Sequence, residues 1–132
     1  MALLVPTVGS NVILEIIVNK TAAQDLVAKL YKNNITPADT DTAGTYTEAT
    51  FGGYAAITLT GASWGTAAAE SIAYGSQQTW TCNAVATDDI YGYYIIQTTS
   101  GILMWAERDA SAPFEVRNSG DAIKLTPTIT AE

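Results

Sequence analysis

The pentapeptide Gly61-Ala62-Ser63-Trp64-Gly65 fits the G-x-S-x-G pattern of a nucleophile elbow. In that elbow a serine sits on a sharp strand-to-helix turn, and an imidazole takes its proton as the hydroxyl attacks. The chain contains no histidine. A lysine base would have to be Lys20, Lys29, Lys32 or Lys124, and each of these stands in a polar or strand-edge context. The segment is therefore expected to be a glycine-flanked loop, with Trp64 capping the core, and serine hydrolysis is excluded.

Paired carboxylates come next, because glycoside hydrolysis needs two of them facing each other. Glu107 and Asp109 share one face of a strand by their i, i+2 spacing, and Asp88-Asp89 fall in a turn. Neither pair has a groove signature around it. In a chain with 13 acids, solvated carboxylates are the expectation. Asp39-Thr40-Asp41 resembles a fragment of a calcium loop, but the third acid, the turn glycine and the distal glutamate are missing in register. An Asx-type turn is expected there, with adventitious cation binding as the alternative.

With no histidine and one cysteine, zinc and iron sites lack ligands. Cys82 reads as a small buried hydrophobe and has no partner for an intrachain disulfide. No catalytic, cofactor-binding or metal residue is assigned, no cofactor is expected, and the chain reads as a protein that is not an enzyme. Tyr91, Tyr93, Tyr94, Trp64, Trp80 and Trp105 either fill a core, with tyrosine hydroxyls at its rim, or form a sugar-binding platform.

Charge narrows the partners. The net charge is −7, and the six cations, Lys20, Lys29, Lys32, Arg108, Arg117 and Lys124, are scattered. Without a basic stripe there is nothing to neutralise phosphates or an anionic bilayer, so nucleic acid and membrane are not expected partners. Charged residues make up 14%, against roughly a quarter in ordinary soluble domains. Such a surface costs little to desolvate, which suits a face covered by another protein. The opening Met1-Ala2-Leu3-Leu4-Val5-Pro6 lacks the basic start of a signal peptide, and a bilayer-spanning apolar run is missing.

The elements that would hold these residues read as strands. Segments rich in Val, Ile, Thr, Tyr and Trp recur between Gly, Asn, Asp and Ser. Strands are expected near residues 12–18, 26–32, 46–49, 54–59, 71–74, 79–85, 90–97, 102–108 and 123–129. The stretch 26–32 also suits a short helix, but Asn33-Asn34 and Thr36-Pro37 after it are turn chemistry. The clearest unit is a hairpin, 91–97 against 102–108, turned at Thr98-Thr99-Ser100-Gly101. Gly92 inside it signals a bulge or a close approach by other backbone. Both its strands carry large residues on both faces, so each face should be covered.

The expected fold is all-β: a single-domain antiparallel β-sandwich, jelly-roll-like, over residues 12–132, with an extended N-terminal arm over residues 1–11. The arm is either an edge strand or frayed tail, or a docking segment for a neighbouring subunit through Leu3, Leu4, Val5 and Val8.

Four stretches resemble small virion structural proteins of tailed bacteriophages: Leu26-Val27-Ala28-Lys29-Leu30-Tyr31-Lys32-Asn33-Asn34-Ile35-Thr36-Pro37, Gly53-Tyr54-Ala55-Ala56-Ile57-Thr58-Leu59, Tyr91-Gly92-Tyr93-Tyr94-Ile95-Ile96, and Gly120-Asp121-Ala122-Ile123-Lys124-Leu125-Thr126-Pro127-Thr128-Ile129. They are strand and turn patterns, not catalytic signatures. The resemblance implies a capsid decoration or cement protein, commonly a homotrimer, bound to the major capsid protein on the capsid exterior and assembled in the bacterial host cytoplasm. It carries no binding residues over. A phage tail or head-fibre component is the alternative within the structural class, and a carbohydrate-binding adhesion module the alternative outside it.

Overall fold

The computed structural model describes residues 3–131; Met1 and Ala2 of the expected arm lie outside them. The described chain runs α1 (Thr7–Ile17), β1 (Leu26–Tyr31), β2 (Ile57–Leu59), β3 (Ser71–Ala73), β4 (Gln78–Thr81), β5 (Asp88–Ile90), β6 (Gly92–Gln97), β7 (Leu103–Arg108), β8 (Phe114–Val116), β9 (Ala122–Leu125) and β10 (Thr128–Thr130). Every strand pair is antiparallel. The expected all-β architecture holds, with one helix added. The pairings form a four-stranded sheet, β2-β1-β6-β7, and three two-stranded ribbons, β10-β3, β4-β9 and β5-β8.

The hairpin forms as expected. Gly92 pairs with Arg108 and Ile95 with Trp105, the register slipping once between Ile95 and Ile96. Gly101 takes φ +72° in the turn and donates to the Gln97 carbonyl at 3.0 Å. A side chain at Gly92 would overlap the Glu107 carbonyl, so the close approach read from the sequence is real.

Both hairpin faces are buried by the chain itself. One carries Tyr93, Ile95 and Trp105 into the main core with Leu30, Phe51, Leu59, Trp80, Ile90 and Val116. The other carries Tyr94, Leu103 and Ala106 into a second cluster with Tyr31 and Tyr46, where Val8 also packs. There the Tyr46 and Tyr94 rings stack at 4.9 Å, and the Tyr46 hydroxyl donates to Asp41 Oδ2 at 2.7 Å.

Residues 12–18 are not a strand. Residues 12–17 belong to α1, which also crosses the expected boundary at residue 11, and Val18 is its C-cap. The β-branched run argues for extended chain locally, but tertiary packing decides otherwise. Val12 and Ile13 meet the main core and Val8 the second cluster, a helical stripe instead of an alternating one. Gly9 lets the helix lie on β7 backbone: a Cβ there would come 2.6 Å from the Met104 carbonyl oxygen.

The helix ends are satisfied locally. Thr7 donates its N–H to the Asp39 carbonyl at 2.9 Å and its hydroxyl to Asp39 Oδ2 at 2.8 Å. At the C-terminus Asn19 adopts φ 58°, with Asn19 N–H bonded to Ile16 O and Lys20 N–H to Glu15 O, a Schellman closure. Ahead of the helix, Leu4 exchanges two 3.0 Å hydrogen bonds with Ala106 and so covers the outer edge of β7.

Candidate functional site: an apolar helix face and an acid-walled cavity

Ser63 is exposed and ends a single 3-10 turn, Gly61–Ser63, followed by extended Trp64. No strand-to-helix elbow forms. Trp64 caps the core as expected, its ring 5.3 Å from Tyr74 and 6.2 Å from Trp105.

The acids divide by surroundings. Asp41 is buried and turns the loop, accepting the Ala38 N–H at 2.9 Å besides the Tyr46 hydroxyl. Its neighbour Asp39 is occupied by Thr7 of the helix. Asp88 accepts the Thr50 N–H at 2.7 Å and faces Lys32 at 3.4 Å, while Asp89 pairs with Arg117 at 2.6 Å. Among the described residues no group of three or more His, Cys, Asp and Glu could hold a metal ion. Cys82 is buried, its thiol directed at the Ala84 carbonyl.

Glu107 and Asp109 differ from these. The structure places both in the wall of one cavity of about 280 Å³, a groove that the sequence does not signal. Apolar residues from strands far apart in sequence supply the rest: Leu30 of β1, Ile90 of β5, Phe114 of β8, and Ile123 and Leu125 of β9. Tyr93, opposite Glu107 in the hairpin register, also lines it. Burial, reinforced by the Glu107 charge, pushes the Tyr93 phenol well above its ordinary value, so it stays neutral at physiological pH.

Among the described residues the aromatics do not assemble a flat outward platform. Trp80 and Trp105 lie in the core, and the Trp80 indole donates to the Ala55 carbonyl at 2.9 Å. Burial pushes the Tyr31 and Tyr94 phenols up to about 12.

Outward apolar side chains gather on α1 and its C-cap, while Val85 and Phe114 stand exposed singly elsewhere. Leu14, Ile17 and Val18 stand 62%, 73% and 71% exposed at i, i+3, i+4 spacing, side by side on the face away from the sheet. The strand reading of 12–18 hid this face, since helical spacing is what brings the three together. Leu3, Leu4, Val5 and Val8 are half-buried against the chain's own clusters or edge. Among the described residues no helix is long and apolar enough to cross a membrane. Comparison with protein-family models and with curated proteins finds no match to this chain.

Proposed function

We propose that the protein is a structural subunit of a bacteriophage virion, a capsid decoration or cement protein that binds the outer surface of the major capsid protein and stabilises the head by packing. The supporting observation is the exposed face of Leu14, Ile17 and Val18. Adjacent aliphatic side chains held in water on a rigid helix mark a docking surface. Burying each contributes on the order of 1 kcal/mol or more. The helix carries one acid, Glu15, paired with Lys20 at 3.3 Å, on a molecule of net charge −7. This near-neutral spot is where an apolar depression of a capsomer docks at the least electrostatic cost.

In this reading Leu3, Leu4, Val5 and Val8 seat the helix, and Leu14, Ile17 and Val18 touch the capsid. Copies arranged as a homotrimer over capsomer junctions would multiply the weak contacts into avidity. Scattered cations and the acidic balance suit an exterior position away from packaged DNA.

The test is occupancy on undecorated heads built from the major capsid protein of the same genome. Leu14→Asp with Ile17→Asp should lower occupancy at least tenfold while leaving the isolated fold intact. Undiminished occupancy would reject the helix face, and heads that fail to bind the wild-type chain would reject the virion role.

A further inference from the structure

The cavity beside β9 holds two acids without a cation that neutralises them. Among the described residues neither Glu107 nor Asp109 forms an ion pair, and Lys124, at the same cavity, is exposed and pairs with neither. Glu107 is half-buried, and the walls around both acids are largely hydrocarbon. Asp109 Oδ1 accepts the Ser111 N–H at 2.7 Å, and two carboxylates lining one cavity both attract an entering cation.

The shape restricts which cation. A bare metal ion would find only two acids and no third ligand among the described residues. A lining that combines apolar side chains with two carboxylates suits a charge carried on a hydrocarbon stem. At about 280 Å³ the cavity is ample for a four-carbon chain and its ammonium. Phe114, 44% exposed, leaves apolar surface for the stem. An ammonium, with three freely rotating donors, suits carboxylates on residues i and i+2; a guanidinium fork matches one carboxylate best.

We propose that this cavity receives the side chain of a lysine presented by a partner protein, its methylenes against Leu30, Phe114 and Ile123 and its Nζ between Glu107 and Asp109. The neutral Tyr93 phenol beside Glu107 adds no competing charge. The inference does not rest on the virion reading and survives its failure.

Titrating the ¹⁵N-labelled full chain with N-acetyl-lysine-N-methylamide tests it. Saturable shifts are expected at the Tyr93, Glu107, Phe114 and Ile123 amides, with none from the Nε-acetylated or norleucine analogues. Asp109→Asn and Glu107→Gln should each weaken binding at least tenfold, and Lys124→Ala, which removes a repelling charge, should tighten it at low salt. Asp109 is exposed, so its variant reads the site even where Glu107→Gln fails to fold. Equal shifts from the norleucine analogue, no shift at cavity amides, or undiminished affinity in a folded Asp109→Asn variant would overturn the proposal.

Discussion

Gly9 of α1 lies directly over the backbone of Met104 in β7. A Cβ built at Gly9 falls 2.6 Å from the Met104 carbonyl oxygen and 2.8 Å from that of Leu103. Alanine at this position gains about 1 kcal/mol of helix propensity but meets backbone that cannot rotate away, and overpacking of this kind costs ~1–3 kcal/mol or more. The clash wins. Gly9→Ala should lower stability to urea by about 1–2 kcal/mol, and hydrogen exchange should locate the loss in α1 and the Leu4–Ala106 bridge.

Two glycines of the hairpin separate space from backbone conformation. Gly92 has Tyr31 side-chain atoms 2.8 Å from where its Cβ would stand, besides the overlapping Glu107 carbonyl. Gly101 has φ +72° and nothing within 4 Å. Gly101→Ala should therefore cost only the left-handed backbone term, ~1–2 kcal/mol. Gly92→Ala should cost at least ~3 kcal/mol or prevent folding, as measured by chemical denaturation.

Adjacent acids carry unequal weight. Asp88 is nearly buried and is the acceptor for the Thr50 N–H. Asp88→Ala leaves that donor unpaired, for a loss of about 1–3 kcal/mol. Asp89 and Arg117 form a half-exposed pair at 2.6 Å, and Asp89→Ala should cost less than about 1 kcal/mol. Parallel urea titrations of the two variants compare them directly.

Alkali should unfold the protein through its tyrosines. The folded-state values of Tyr31 and Tyr94 lie near 12, above the ordinary 10.0, chiefly because burial disfavours the phenolate. Between those values the unfolded chain has released protons that the folded chain keeps, so stability falls as pH rises. The contribution is whole below pH 10 and lost progressively toward pH 12. Hydrogen bonds from Thr60 and Ser63 hold the Tyr74 phenol below its ordinary value, so it should ionise first. The further phenolate absorbance that is missing in a Tyr31→Phe, Tyr94→Phe variant should rise together with the change in circular dichroism; its appearance well below the unfolding transition would contradict the burial of this cluster.

The exposed helix face should be dispensable to the isolated chain. Leu14→Glu alters a side chain 62% exposed to water, and its effect on thermal stability should stay within about 0.5 kcal/mol. A larger loss would mean that the residue supports the fold.

The hairpin was legible because its signals are local. Alternation through Tyr93, Ile95 and Gln97, a positive-φ Gly101 and a return strand all lie within one short stretch. The helix was not. Val12, Ile13, Ile16, Ile17 and Val18 favour extended chain, Pro6 at the N-cap offers no side-chain bond, and the first turn has no acid. Distant packing favours the helix instead: Val8, Val12 and Ile13 reach the two core clusters, and Gly9 lets the helix lie against Met104. Strand β8 carries no signal in the sequence because three residues, Phe114 to Val116, are too few for a period to show. Glu107 and Asp109 could be seen to share a face, but not to face a cavity. Their apolar surroundings come from β1, β5, β8 and β9, which only the folded chain brings together.

The two bonds between Leu4 and Ala106 tie segments separated by roughly a hundred residues, the kind of pairing whose loop entropy slows folding. On the ribosome Leu4 emerges long before its partner does. Until residue 106 has emerged, β7 is unmade and the greasy helix that follows Leu4 has nowhere to seat. Docking of α1 thus waits on the synthesis of β7, and a nascent chain stalled before residue 106 should engage chaperones through the very surface that the folded protein half conceals.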